Sequence, residues 1–548
     1  MVKFIFITGG VMSGLGKGIT AASIAKLLQF RGYKIDMMKI DPYFNVDAGT
    51  MNPIEHGEVF VTEEVWNFTP AGNFRFRICE IDQDFGTYER FLDQNLHPMN
   101  NVTSGQIYLS VILKERVGEY LGKTIQIIPH IVGEIKRRIK SVATYNNPDI
   151  LIVEVGGTVG DIESMPFLEA IRQFILEIGK ENAILIHVTY VPFLKTVGQF
   201  KTKPTQHSVR FLQGAGLQPD IIICRAERYI DSESRAKISL FSNVEKRAVI
   251  SNPDVNITYE MPLIFEEQGL GDIIVEYLKL ERRKSNYKEW KAFIDRIKQL
   301  KDKVVIGLVG KYVAIKDSYI SINEALKHAG YANNVNVELR FIDSEKIEDN
   351  DNMLSEIDNI DGVLLTPGFG KRGVEGMIQT AVYAMKIKKP ILGICFGAQI
   401  MFIAFCRNHL NLRNANSTEI DPETPYPVVD LLPEQKKIVE KGGTMRLGGH
   451  KIYIKPNTKL FDAYKEKVIV ERFRHRYHII PEYAKMAEEN GLIVSAVDEK
   501  NRIINAIELK DFWAVGVQFH PEYKSRPLRP SPIYVAFIKA VLDGRENK

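Results

Sequence analysis

Cysteine is scarce, with only Cys79, Cys224, Cys395 and Cys406 in 548 residues and no C-x-x-C pair. So few thiols exclude a disulfide framework and offer no zinc-binding spacing. No stretch approaches the ~20 apolar residues that a membrane span needs. The opening MVKFIFITGG lacks the apolar length and cleavage signature of a secretory signal. An excess of one charge is missing too. The 72 basic and 68 acidic residues leave +4, too small and too dispersed a balance to imply a nucleic-acid surface. Tandem repeats and low-complexity tracts are absent. The expectation is a cytosolic (cytoplasmic) protein without nucleic-acid or membrane partners, whose anionic ligands must be argued locally.

The chain is too long for one hydrophobic core, and its 45% hydrophobic and 26% charged residues are ordinary for a folded protein. Apolar runs at Lys3–Thr8, Ile35–Ile40, Ile150–Val155, Ala183–Tyr190 and Asp220–Cys224 alternate with helical patterns such as Gly18–Phe30. That alternation predicts a mostly parallel sheet covered on both faces. A charge-rich segment without glycine or proline, Leu278–Lys303, reads as a linker helix. A second cycle opens at Val304, with a helix after Ser318 and strands at Val335–Ile342, Gly362–Leu365 and Ile391–Ile394. The pattern gives two doubly wound α/β domains, 1–279 and 304–548, joined by a helix over 280–303.

Gly9-Gly10-Val11-Met12-Ser13-Gly14-Leu15-Gly16-Lys17-Gly18-Ile19-Thr20 follows a strand and opens a helix. Glycines there let backbone N–H groups approach phosphate oxygens, and the helix N-terminus adds partial positive charge. Lys17 would reach the terminal phosphates. The loop departs from the P-loop pattern, since Val11 replaces its first glycine and Gly18 its magnesium-binding Ser/Thr. Metal ligands must then come from elsewhere, and Asp84 and Glu154 are candidates because hard carboxylates suit Mg²⁺.

In the second half, Cys395 lies between Gly393 and Gly397 at a strand-to-helix turn, the setting of a nucleophile elbow. A helix N-terminus favours thiolate, and a base should complete the site. His520, in Gln518-Phe519-His520-Pro521-Glu522, is that candidate, with Glu522 near enough to orient the ring. Cys79, Cys224 and Cys406 read as inert buried thiols.

The elbow Gly393–Gly397 and the His-Pro-Glu run resemble the Cys/His/Glu triad of class I glutamine amidotransferases. The first half resembles the amidoligase domain of the CTP synthases, a P-loop, dethiobiotin-synthetase-like fold. The runs that carry this include Thr8–Ile19, Met38–Tyr43, Asn45–Met51, His56–Glu63, Gly86–Phe91, Ile128–Ile131, Glu154–Glu163 and Lys201–Ser208. In the second half, Asn414–Glu419 and Gly442–Gly448 add to them. The resemblance extends over nearly the whole chain. It implies a glutamine-dependent enzyme that uses ATP to aminate UTP to CTP through a 4-phosphorylated intermediate.

The resemblance also implies roles. ATP should lie over Gly14, Leu15, Gly16, Lys17, Gly18 and Ile19, with Lys39 near its phosphates, Pro253, Asp254 and Val255 near its base, and Asp84 and Glu154 on Mg²⁺. UTP, or inhibitory CTP, should meet Ser13, Asp161, Ile162, Glu163, Lys201, Thr202, Lys203, Pro204, Thr205, Gln206 and Lys237. Glutamine should meet Gly368, Phe396, Gly397, Ala398, Gln399, Glu419 (α-ammonium) and Arg476 (α-carboxylate). His56 and Val59 fall near the end of an ammonia route. GTP activation, CTP inhibition, a homotetramer and filaments are further implications. Two rivals are a cobyrinic acid amide synthase built on the same domains and a partition-type ATPase fused to a dead glutaminase. Lys201–Ser208 and Asp161–Glu163 count against the first, and intact Cys395, His520 and Glu522 against the second.

Two departures stand out. Thr366-Pro367-Gly368-Phe369-Gly370 replaces the family's Pro-Gly-Gly-Phe-Gly. Proline has no N–H, so oxyanion donors are expected from Gly368 and Phe396. Extra residues also follow Glu63, where family members carry a short acidic stretch. Val65, Trp66, Phe68, Phe74, Phe76 and Ile78 alternate loosely about the turn Thr69–Asn73. They predict a hairpin leaning its aromatic face on the first domain or a neighbouring subunit.

Overall fold

The computed structural model describes residues 2–311, 316–435 and 443–546; Gly442, first residue of the run Gly442–Gly448, lies outside them. The chain forms two compact units. The first comprises Met1–Ala48, Trp66–Ile78 and Asp84–Arg296, and the second Gly49–Val65, Cys79–Gln83 and Ile297–Lys548.

In the first unit a seven-stranded sheet runs in the order Val249–Pro253, Ile221–Ala226, Ala183–Tyr190, Lys3–Gly9, Ile150–Val155, Ile35–Asp41, Asn101–Thr103, every pairing parallel. Burial on both faces explains why these strands read as unbroken apolar runs. Phe4 and Phe6 pack with Phe174 of the helix Met165–Ile178. Ile5 and Ile7, which alternate with them, are equally buried. The helix Lys17–Gln29 begins where the loop after Lys3–Gly9 ends.

The second unit's sheet has nine strands. Asn336–Asp343, Lys303–Gly310, Gly362–Leu365, Ile391–Ile394 and Ala514–Val517 pair in parallel. Ile504–Leu509, Leu492–Val497, Arg446–Ile454 and Val468–His475 continue the sheet antiparallel. Period-two alternation builds a core on each face: Val363 and Leu365 join one, Leu364 the other. Between residues 280 and 303 the helix occupies Lys288–Lys298, and the strand begins at Lys303. Trp290 of that helix is buried, donates from Nε1 to the Tyr259 carbonyl at 2.7 Å, and lies 4.7 Å beneath the Lys26 ammonium.

The extra residues after Glu63 form a hairpin of strands Phe60–Phe68 and Phe76–Ile81. Its tip packs within the first unit. The Arg138 guanidinium, fully buried, sits 4.8 Å from the Trp66 ring and 5.2 Å from Phe68. The Phe76 ring lies tilted against Phe68 at 6.2 Å, whereas Phe74 faces solvent. The aromatic face thus leans on the chain's own first unit.

Candidate functional site

Each unit carries one constellation, at the C-terminal ends of its parallel strands. In the first, Val11, Gly14 and Gly16 all have positive φ (79°, 74° and 75°), which turns the loop so that Lys17 starts the helix. The Lys17 ammonium donates to the Gly157 carbonyl at 2.8 Å, and burial lowers its pKa despite nearby Glu154. Lys39 forms an ion pair with Asp84 and lies 3.5 Å from Asp41. Glu154 is the penultimate residue of the strand Ile150–Val155 and accepts a hydrogen bond from the Tyr88 hydroxyl. It is fully buried, and desolvation raises its pKa.

Gly18 explains the departure from the P-loop pattern. A Cβ there would lie 2.5 Å from Asp84 Oδ1; the absent Ser/Thr side chain leaves the space that Asp84 fills. Lys17, Lys39, Asp84 and Glu154 therefore form one electrostatic cluster. Two carboxylates suit Mg²⁺, an ion that uses one or two protein carboxylates plus phosphates and water. Among the described residues no group of three or more His, Cys, Asp or Glu side chains is placed to hold a metal ion.

Pro253 ends its strand beside Asn252, whose amide donates to Thr20 of the helix Lys17–Gln29 at 3.0 Å. Asp254 pairs with Arg225 at 2.5 Å. Asp161 Oδ2 accepts from the Thr158 N–H at 3.2 Å, while Ile162 and Glu163 are exposed in the same loop. Lys203, Pro204, Thr205 and Gln206 form the first turn of the helix Lys203–Gly214. Thr205 is buried, with its hydroxyl 3.1 Å from Thr189. Gln206 donates to Thr202 at 3.0 Å. Lys201 is 3.4 Å from Gln199, and exposed Lys237 pairs with Glu233 at 2.6 Å on another helix, Ser232–Ser242.

In the second unit Cys395 ends the strand Ile391–Ile394 and caps the helix Phe396–His409. Its φ of 52° and ψ of −102° are rare for a side-chain-bearing residue, a strain of about 1–3 kcal/mol that the packing must hold. The flanking glycines permit it. A Cβ on Gly397 would lie 2.1 Å from the Leu365 carbonyl oxygen, and one on Gly393 2.8 Å from Gly397. His520 is buried, and its Nδ1 donates to Glu522 Oε1 at 2.7 Å. Burial opposes charge on the ring, but Glu522 and then Cys395 outweigh it and push the His520 pKa up to about 10. The ring is held in its charged, imidazolium form beside the Cys395 sulfur.

Cys395, His520 and Glu522 line a cavity of about 350 Å³ together with Gly368 and Arg476. Arg476 donates to Gln435 at 2.7 Å and to Thr444 at 2.9 Å. Glu419 lies off the lining and accepts from the Gly370 N–H at 2.7 Å, which fixes the Thr366–Gly370 loop. Lys311 braces the same loop through the Phe369 and Gly370 carbonyls, and burial lowers its pKa to about 8. Phe396, Gly397, Ala398 and Gln399 are buried in the first turn behind the cysteine. Gln399 donates to Gln518 Oε1 and to the Tyr477 carbonyl, both at 3.0 Å.

Sequence reasoning missed three contributors. Gln518 donates to Cys395 Sγ at 3.4 Å, and only its position two residues before His520 hinted at it. Arg474, partly buried, pairs with buried Glu80 at 2.6 Å and forms part of the cavity wall. Glu58 also lines the cavity and accepts from the Ser321 N–H at 3.2 Å. Val59 is a neighbour on that wall, and its carbonyl accepts from the Tyr523 hydroxyl at 3.0 Å.

Comparison with known proteins places these features. The family model for the CTP synthase N-terminus matches residues 3–280, and that for class-I glutamine amidotransferase matches 314–540. A CTP synthase of Pyrococcus abyssi is 51% identical, covering 100% of this chain and 99% of the relative. One of Clostridium acetobutylicum is 50% identical with the same coverage. A solved glutaminase domain of Trypanosoma brucei CTPS with bound acivicin is 32% identical over 44% of this chain and 94% of its own, with a TM-score of 0.42.

Proposed function

This chain belongs to the CTP synthase family, and from that premise we propose how its residues divide the work. The enzyme is a glutamine-dependent ligase that converts UTP to CTP. Cys395 attacks the glutamine carboxamide, and the Gly368 and Phe396 N–H groups hold the oxyanion, each such donor being worth about 10²–10³ in rate. Imidazolium His520 protonates the leaving ammonia, and water then hydrolyses the thioester. Glu522 holds the ring in place and stabilises its charge. Arg476 takes the glutamine α-carboxylate and Glu419 the α-ammonium.

In the first unit ATP lies over Gly14–Ile19, and UTP meets Ser13, Asp161–Glu163, Lys201–Gln206 and Lys237. UTP O4 attacks the γ-phosphorus while Lys17 and Lys39 neutralise charge, and ADP leaves. Phosphorylation makes O4 a good leaving group, and ammonia displaces phosphate at C4. Asp84 and Glu154 would hold Mg²⁺, which when bound neutralises phosphate oxygens. Ammonia is largely ammonium at neutral pH, so an enclosed route is part of the proposal; Val59 on the Cys395 cavity and His56 in the same segment stand near its end.

GTP activation, CTP inhibition and a homotetramer rest on the family resemblance. A cytoplasmic location rests on it and on the finding that no described helix is long and apolar enough to cross a membrane. The observation that carries the glutaminase assignment is the buried His520–Glu522 contact of 2.7 Å facing Cys395 in one cavity. Purified protein given UTP, ATP, Mg²⁺ and glutamine should form CTP, followed by absorbance. No CTP from either glutamine or ammonia would overturn the proposal.

A further inference from the structure

Beneath the phosphate loop lies a buried chain of three side chains that the reaction steps above do not use. Thr8 precedes Gly9 and Gly10 at the end of the central strand. His187 sits on the neighbouring strand Ala183–Tyr190, and Ser208 on the helix Lys203–Gly214. The His187 ring is fully buried, with Nδ1 2.9 Å from the Thr8 hydroxyl and Nε2 2.8 Å from the Ser208 hydroxyl. Both nitrogens are satisfied by groups from two different elements.

The fit around the chain is close. A Cβ on Gly10 would stand 1.6 Å from Ser208 Oγ and 3.0 Å from His187 Nε2, so the loop backbone rests directly on that helix. The Gly10 N–H donates to the Val188 carbonyl at 3.0 Å. One turn earlier on the helix, Thr205 is tied to the same strand through Thr189 at 3.1 Å. Burial and the Lys17 charge hold the ring neutral, with a pKa of about 3. A neutral imidazole has one donor and one acceptor nitrogen. In either tautomer, then, one hydroxyl donates to the ring and the other accepts from it.

We propose that His187 is a positioning residue that locks the phosphate loop to the helix carrying Lys203–Gln206, so that phosphoryl donor and acceptor stay in one register. This rests on the assignment of ATP to Gly14–Ile19 and UTP to Lys201–Gln206. Misplacing reacting groups by an ångström costs about 10² in rate, and a γ-phosphoryl group out of line with O4 is left to water, which takes it and releases ADP and phosphate without CTP.

The test is ammonia-dependent synthesis with both products counted. Wild type should form ADP and CTP one to one; failure to form CTP at all would sink the nucleotide assignment rather than this inference. His187→Ala should lower kcat about 10–100-fold, leave both nucleotide KM values within about threefold, and raise the ADP:CTP ratio above one. His187→Gln, whose amide reaches Ser208, should recover part of the ratio. Should His187→Ala not fold, Ser208→Ala removes one end of the chain and should raise the ratio in the same way. Folded variants that keep the wild-type kcat and a ratio of one, or that raise the KM values at constant kcat, would overturn the proposal.

Discussion

Replacing Glu522 by Gln keeps the shape of the His520 contact and removes its charge. In the wild-type site the His520 pKa stands at about 10 against an ordinary 6.5, although burial pulls it down. That elevation corresponds to roughly 5 kcal/mol at about 1.4 kcal/mol per pKa unit. Glu522 is the larger of the two charges responsible. Assigning it about half leaves a loss near 2–3 kcal/mol, so glutamine-dependent kcat/KM should fall about 10²-fold. The sign follows from the raised folded-state pKa. The stabilisation is complete below pH 6.5 and is lost as pH rises through about 10. The variant's stability deficit should therefore be largest in acid and should shrink towards pH 10. CTP formation with glutamine and with ammonium, measured from pH 6 to 10 beside urea unfolding, reads both effects. A Glu522→Gln enzyme with glutamine activity within threefold of wild type and an unchanged pH profile would refute the ion-pair reasoning.

Lys17→Ala removes the partly buried ammonium held at Gly157 and should abolish CTP formation from both glutamine and ammonia while basal glutamine hydrolysis survives; glutamate release measured beside CTP checks this. Trp66→Ala strips cover from Arg138, whose Nε and Nη1 have no hydrogen-bond partner. From the half-buried ring and its cation–π contact it should destabilise the first unit by about 2–3 kcal/mol, with ammonia-dependent kcat within twofold; an unmoved denaturation midpoint would contradict the packing.

Local features were legible in the sequence because their physics is local. Continuous apolar runs such as Phe4–Ile7 marked the doubly buried strands, and the Gly393–Gly397 spacing marked a turn that only small residues can make. The aromatic alternation from Trp66 to Ile78 gave the hairpin, since a two-stranded ribbon needs one packed face. Other features depend on long-range contacts. Nothing near Arg474 announces Glu80, 394 positions earlier, and Glu58 lines the Cys395 cavity from a segment far upstream. Apolar strands such as Leu492–Val497 and Ile504–Leu509 carry no mark of antiparallel pairing. The family resemblance implied a glutamine contact for Gln399. Its amide donates to Gln518 and to the Tyr477 carbonyl, a direction set by helix phase and neighbouring packing that no local pattern announced.

The central claim is that one chain separates ammonia release at Cys395 from ammonia use at the nucleotide site. Its most direct test is Cys395→Ala assayed for CTP with glutamine and then with ammonium. Glutamine-dependent synthesis should vanish, and ammonia-dependent synthesis should stay near the wild-type rate. A folded variant that loses both activities, or that keeps the glutamine-dependent one, would contradict the claim.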